Sequence, residues 1–118
     1  MYSTLTKKQK QEMRALQALA WERELEQELT NLEEQFRRWR NGTIGAFDLS
    51  DRIHQFHDHE ARDLYKYYSD WDNPFAVPGA IVKGIISESE LSRQSLEAIS
   101  SDIQHIRDAR NIQSQIKG

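Results

Sequence analysis

The chain has 118 residues and a net charge of −3, and 37% of its residues are apolar and 30% charged. This length predicts a single domain, 1–118, and the small net charge excludes a protein that binds nucleic acid through overall charge. The chain contains no cysteine, which excludes disulfides, thiolate metal ligands and a cysteine nucleophile.

The composition favours a thin, helical body. Three tryptophans, four tyrosines and four phenylalanines argue against plain disorder, while the high polar content suits an elongated bundle that exposes much of each helix. The opening MYSTLTKKQKQEMRALQ has no apolar run of the kind found in secretion signals, and no apolar stretch is long enough to span a bilayer. We therefore expect a cytoplasmic protein that does not contact a membrane.

Helix one is predicted over 7–41, because the first forty residues contain neither glycine nor proline. Thr6 and Gln9 resemble a capping box at its start, and Asn41-Gly42 forms a C-cap at its end. Apolar residues recur in steps of four and three, as on one face of a helix, at Leu25, Leu29, Leu32, Phe36 and Trp39.

Three further helices follow. Helix two is predicted over 46–70, with Gly45 as its N-cap and Asp48 in its first turn. A short connector helix is predicted over 79–84, closed by Gly84, and the last helix over 88–115, with Ser87 and Glu90 as its capping box. The predicted fold class is all-α, with three long helices and one short connector helix in an elongated bundle.

The stretch DRIHQFHDHEARD, residues 51–63, contains three of the four histidines. On a regular α-helix, turning about 100° per residue, the three point in different directions. One side of helix two carries Leu49, Ile53, Phe56, Leu64, Tyr67 and Trp71, with Glu60 at the centre and His57 at the edge.

A metal site is one interpretation of this stretch. His54 with His57, or His54 with Asp58, has a helical ligand spacing, but each pair supplies two ligands only. Asp51-x-x-His54 and Asp102-x-x-His105 repeat the acid-x-x-His pattern of di-iron bundles, yet both pairs point away from the apolar stripes. A solvated histidine-rich face is the interpretation we favour, and we expect no cofactor.

Glu60 is the more informative residue, because a carboxylate within an apolar stripe must be paired, protonated or functional. A structural ion pair with an arginine such as Arg110 is one interpretation. An acid–base pair with His57 is the other. We find no nucleophile, oxyanion hole or phosphate-binding loop to complete an enzyme, so catalysis is disfavoured.

Helix one is apolar on two sides, which indicates two partners. Met13, Leu16 and Ala20 face away from the stripe of Leu25 to Trp39, and Ile112 and Ile116 form a second strip near the C-terminus. We interpret these five residues as candidate contacts of a homodimer. The alternatives are that helix one is bent, or that its N-terminal half packs against the connector of its own chain.

Charge is segregated along helix one. Its basic ends are Lys7, Lys8, Lys10 and Arg14 at the start and Arg37, Arg38 and Arg40 at the finish, with an acidic middle between them. The cluster RRWR resembles nucleic-acid surfaces, but cations at a helix C-terminus also suit the helix dipole. Nucleic acid is therefore a less favoured partner than protein.

The run WRNGTIGAFDLSDRIHQFHDHEARDLYKYY, residues 39–68, resembles a group of small bacterial proteins. They carry a W-R-x-G-x-I-x-x-x-[DE]-L-x-D-x-I-H-x-F-H core followed by A-I-x-x-G-I-[IL], which AIVKGII at 80–86 matches. No activity is assigned to the group, so the resemblance implies a bacterial, cytoplasmic origin and no site. It marks as worth testing Trp39, Gly42, Asp51, His54, Phe56 and His57.

Together these patterns predict a homodimeric helical interaction or accessory module that lacks catalysis of its own. A metal or acid–base site around Asp51, His54, His57 and Glu60 is the first alternative. Association with nucleic acid through the basic ends of helix one is the second.

Overall fold

The computed structural model describes residues 5–117, and the side chains of residues 5–114. Every regular element in that range is helical, so the all-α prediction is confirmed. Five helices are present where three long and one short were predicted. They are α1 (Lys7–Arg40), α2 (the consecutive segments Ala46–Gln55, Phe56–Ala61 and Arg62–Tyr68), α3 (Ala76–Val82), α4 (Arg93–Ala98) and α5 (Ser100–Lys117).

Helix α1 begins and ends where its caps predict. The Thr6 amide donates to Gln9 Oε1 at 2.9 Å, and the Gln9 amide donates to Thr6 Oγ1 at 3.1 Å. Gly42 has a φ of +80°, the left-handed conformation that suits glycine after a helix. Helix α2 then starts after Gly45, whose amide donates to Asp48 Oδ2 at 3.2 Å. The Thr6–Gln9 pair thus marks the start of α1, and Gly42 and the Gly45–Asp48 hydrogen bond mark the two ends of the α1–α2 loop.

Helix α3 begins earlier than predicted, at Ala76 instead of residue 79. Pro78 therefore lies inside the first turn, where its missing N–H costs no helical hydrogen bond. Gly84, with a φ of +78°, follows the helix as predicted. Five of the seven residues of α3 are buried, namely Ala76, Val77, Pro78, Ala80 and Ile81.

The helix predicted over 88–115 is wrong as a continuous element. The Ser87–Glu90 capping box forms, with the Ser87 amide donating to Glu90 Oε2 at 2.8 Å, but it closes a 3₁₀ turn of three residues, Glu88–Glu90. Leu91 is extended and buried, and a new helix, α4, begins after Ser92. A further break at Ile99 separates α4 from α5.

A hydrogen-bonded carboxylate explains why the chain restarts at Ser92. Glu12 of α1 accepts three hydrogen bonds, from the Ser92 amide at 2.6 Å, the Ser92 hydroxyl at 2.8 Å and the Ser95 hydroxyl at 2.7 Å. Burial acts to raise the pKa of Glu12, but these hydrogen bonds and nearby Lys8 outweigh it and lower the pKa below its usual 4.5. Glu12 thus joins α1 to the N-terminus of α4.

Replacing Glu12 by glutamine is expected to lower the free energy of unfolding by about 1 kcal/mol at pH 7, because charge-assisted hydrogen bonds are lost. The folded-state pKa is depressed, so this contribution is present above the unfolded pKa and is lost as pH falls through the folded value. Urea unfolding at pH 7, 5 and 3 should therefore show the gap between wild type and Glu12→Gln closing toward acid. Glu22→Gln, at an exposed position on the same helix, is the matched control. A gap that stays constant with pH would contradict the assignment.

The chain divides into two compact units. The terminal unit comprises the chain before residue 21 and after residue 70, and the hairpin unit comprises residues 21–70, the C-terminal part of α1 and helix α2. The terminal unit has a well-filled core that includes Met13, Ile86, Ile99 and Ile103. In the hairpin unit α1 and α2 run antiparallel, because Glu24 contacts Tyr68 near one end and the short loop joins them at the other. Among residues 5–117, no helix combines the length and the apolar character needed to cross a bilayer.

Candidate interaction surface

The histidine-rich stretch adopts an unusual helical geometry. Phe56–Ala61, FHDHEA, is a π-helical turn inside α2. In such a turn each amide bonds to the carbonyl five residues back instead of four, so the turn holds about one residue more than an α-turn. Residues after it are therefore rotated by about 100° from where a continuous α-helix would put them.

This rotation corrects the predicted inward face of α2. Tyr68 is fully buried, whereas Tyr67, the predicted inward residue, is 36% exposed. In the same way Ala61 is half-buried, whereas Glu60 is exposed. At these two positions the inward residue falls one place later than predicted, whereas Leu64 remains half-buried and Tyr65 next to it is 59% exposed. Glu60 therefore lies outside the apolar face, and the burial that made it a candidate is absent.

The other candidates of this stretch are also exposed, namely Asp51, His54, His57 and Asp58. Within residues 5–117 no three or more histidine and acidic side chains converge to hold a metal. Arg110, the suggested partner of Glu60, donates instead to the carbonyl oxygen of Val82 at 3.3 Å. His57 and Asp58 line one open hollow of about 400 Å³, but Asp51, His54 and Glu60 do not, and an acid–base or metal role for these residues stays a prediction.

The π turn itself can be tested by changing its length. Deleting His59 is expected to convert the turn to α-helix and keep Tyr68 in place, so the free energy of unfolding should change by less than about 1 kcal/mol. Inserting one alanine after His59 should instead rotate Tyr68 out of its buried position and cost about 3 kcal/mol, as loss of a buried aromatic does. Urea unfolding and near-ultraviolet circular dichroism measure both. Equal losses in the two variants would show that the turn does not set the rotation of α2.

The buried end of the hairpin unit is aromatic. The Tyr68 hydroxyl donates to the Glu24 carboxylate, and burial together with that carboxylate raises the pKa of Tyr68 far above its usual 10.0. Trp21 packs edge-on against Tyr65, with ring centroids 5.9 Å apart. These contacts hold the start of the hairpin's α1 segment against the end of α2.

The remainder of the hairpin unit leaves many of its large apolar side chains exposed. Within residues 21–70 the buried hydrophobic residues are Leu49 and Tyr68, whereas seven large apolar residues are at least 36% exposed. These are Leu29, Phe36, Trp39, Phe47, Ile53, Tyr65 and Tyr67. A soluble surface commonly carries single apolar residues, but a row of them along one helix marks a contact site.

One part of this surface forms a shallow, open hollow of about 520 Å³. It is lined by a single run of α1, here called the α1 face, which comprises Leu29, Leu32, Glu33, Phe36, Arg37 and Arg40. Leu29 is 45% exposed and Phe36 is 36% exposed, so both present apolar surface to solvent. Arg37 is held beside the hollow by an ion pair with Glu34 at 3.1 Å.

The interface residues predicted at the N-terminal half of α1 lie elsewhere. Met13, Leu16 and Ala20 are in the core of the terminal unit, with exposed fractions of 0, 7 and 0%. A side chain buried within its own chain offers no surface to a second copy, so these three are corrected to core residues. Ile112 is 57% exposed and keeps its place as a candidate, and the side chain of Ile116 lies outside the described residues.

Sequence reasoning had placed Leu29 and Phe36 in the internal stripe of helix one. Leu25 and Leu32 of that stripe are half-buried, whereas Leu29 and Phe36 are exposed, and helical spacing alone does not separate the two groups. Two of the three arginines at the end of α1 have local partners: Arg37 pairs with Glu34, and Arg38 donates to Gln35 Oε1 at 3.0 Å.

No family model matches the chain, and no curated protein or solved structure matches it either. The function is accordingly inferred from the residues of this chain.

Proposed function

We propose that this protein is a helical protein-interaction module without catalysis of its own, and that it forms a homodimer through the α1 face. The observation that carries the proposal is the contrast between a terminal unit with a filled core and a hairpin unit that buries two hydrophobic residues and exposes seven. We also propose a cytoplasmic, bacterial setting, following the resemblance of residues 39–68.

The exposed residues have the composition of a contact surface. Interfaces are enriched in aromatic residues and arginine and depleted in lysine, and the α1 face contains Phe36, Arg37 and Arg40 but no lysine. Half-exposed leucine and phenylalanine side chains gain about 25 cal/mol for each Å² of apolar area that a partner covers. A second copy of the chain carries these same residues, so the contact can form without a different protein.

Thiol reactivity provides a test that is independent of how the copies are oriented. The chain has no cysteine, so a single cysteine can be placed on the α1 face by Leu29→Cys and at an exposed site of α2 by Asp63→Cys. The rate at which a maleimide labels Leu29→Cys should fall at least fivefold from about 1 µM to about 500 µM protein, as the face becomes covered in a dimer of ordinary affinity. The rate for Asp63→Cys should stay constant. A labelling rate of Leu29→Cys that stays as constant with protein concentration as that of Asp63→Cys would contradict the proposal.

A further inference from the structure

We propose that the two copies pair α1 against α1 in antiparallel orientation, with Arg40 of one copy beside Glu26 of the other. This inference rests on the proposed function, since it names the orientation of the second copy on the same α1 face. It adds an arrangement of charges that the apolar contacts alone do not specify.

The residues concerned lie on one line of the helix. Glu26, Leu29, Glu33, Phe36 and Arg40 are spaced by three and four residues in alternation, which is the seam of a paired helix. All five are exposed. The line therefore reads acidic, apolar, acidic, apolar and basic from its N-terminal to its C-terminal end.

The order of charges along α1 decides the orientation. Residues 22–34 contain six glutamates and one arginine, whereas residues 35–40 contain three arginines and no acid. Parallel pairing would place glutamates against glutamates and arginines against arginines. Antiparallel pairing places the basic end of each copy against the acidic segment of the other. Like charges brought together across an interface cost free energy, so the parallel arrangement is disfavoured.

The apolar residues fix the register. Setting Leu29 of one copy against Phe36 of the other puts a two-fold axis between residues 32 and 33, so this apolar contact occurs twice. In the same register Arg40 falls opposite Leu25 of the second copy, one residue from Glu26 on the exposed line. Glu33 lies near the axis and approaches its own counterpart, a repulsion that Arg37, four residues further along the same helix, is placed to reduce.

The α1 face is thus complementary to itself when reversed, which is what distinguishes a second copy from other occupants. A purely acidic partner would be repelled by Glu26 and Glu33, and a purely basic one would be repelled by Arg37 and Arg40. An apolar helix without charge would leave both ends of the line unmatched. A second copy matches the apolar centre and both charged ends at once.

Charge reversal tests this arrangement. Arg40→Glu and Glu26→Arg, each made alone, should raise the dimer dissociation constant about tenfold, because each turns two symmetric attractive contacts into repulsive ones. The double variant, with both changes in one chain, restores opposite charges across the axis and should dissociate within about threefold of wild type. Sedimentation equilibrium at low and high salt measures these constants, and the tenfold effects should shrink as salt rises.

Matched controls and outcomes separate this inference from the proposed function. Lys66→Glu and Asp63→Arg make the same kinds of charge change on α2 and should leave the dissociation constant unchanged. Circular dichroism of each variant verifies that the helices are retained. A wild-type dimer that is indifferent to both single reversals, or a double variant as weak as the singles, overturns the antiparallel arrangement and leaves the interaction module standing. A wild-type protein that stays a single chain overturns both.

Discussion

Replacing Phe36 by glutamate is expected to convert the dimer to single chains. Phe36 is 36% exposed on the α1 face, and its ring is the one aromatic side chain that lines the hollow. The variant removes that surface and puts an ionised carboxylate in its place, beside Glu33. Burying a charge without a partner costs several kcal/mol, so the dissociation constant should rise about 100-fold or more. Light scattering on a sizing column measures the change.

Phe47→Glu is the matched control, because it makes the same substitution at an aromatic residue that is 91% exposed and lies outside the α1 face. It should leave the mass as in wild type. Circular dichroism should show unchanged helix content in both variants. A Phe36→Glu protein that still dimerises like Phe47→Glu would mean that the copies meet at another surface.

Replacing Leu16 by glutamate is expected to unfold the terminal unit instead of dissociating a dimer. Leu16 is 7% exposed within its own chain, next in sequence to fully buried Gln17 and one turn from fully buried Met13 and Ala20. An unpaired carboxylate in that core should lower the free energy of unfolding by about 4 kcal/mol or more. Urea unfolding followed by circular dichroism measures the loss.

Protein concentration separates the two roles of Leu16. A core residue gives the same loss at low and high concentration, because the energy belongs to a single chain. Ala15→Glu, at the neighbouring exposed position, should have a small effect. A Leu16→Glu protein with wild-type stability but half the mass would return Met13, Leu16 and Ala20 to an interface.

Local signals in the sequence predicted both ends of α1 and the start of α2 well. The Thr6–Gln9 capping box, the Asn41-Gly42 C-cap and the Gly45–Asp48 start each depend on residues within four positions of one another. Their geometry is therefore set by the local chain, and the structure has them where the sequence placed them. The all-α class follows from the same signals together with the helical spacing of apolar residues.

Two errors came from assuming uniform helices. A helical wheel assumes 3.6 residues per turn throughout, which the π turn at Phe56–Ala61 does not follow. The wheel therefore predicts Tyr67 and Glu60 on the inward side, whereas Tyr68 and Ala61 occupy it. Likewise the break before α4 depends on Glu12, which bonds Ser92 from 80 residues away. No periodicity within residues 87–115 contains that information.

The candidate surface was the part least accessible to sequence reasoning. An apolar stripe predicts burial but does not tell whether the chain itself or a second copy covers it. For Met13, Leu16 and Ala20 the chain covers the stripe, and for Leu29 and Phe36 it does so only in part. That distinction is made by tertiary packing, which buries Met13, Leu16 and Ala20 and leaves Leu29 and Phe36 exposed.

The most direct test of the proposed homodimer is the molar mass of the wild-type protein by sedimentation equilibrium over a wide range of concentration. We expect a mass that rises with concentration toward twice the 13.9 kDa of one chain and then levels off. A mass that stays at that of one chain up to about 1 mM, where even a weak specific dimer would form, would contradict it.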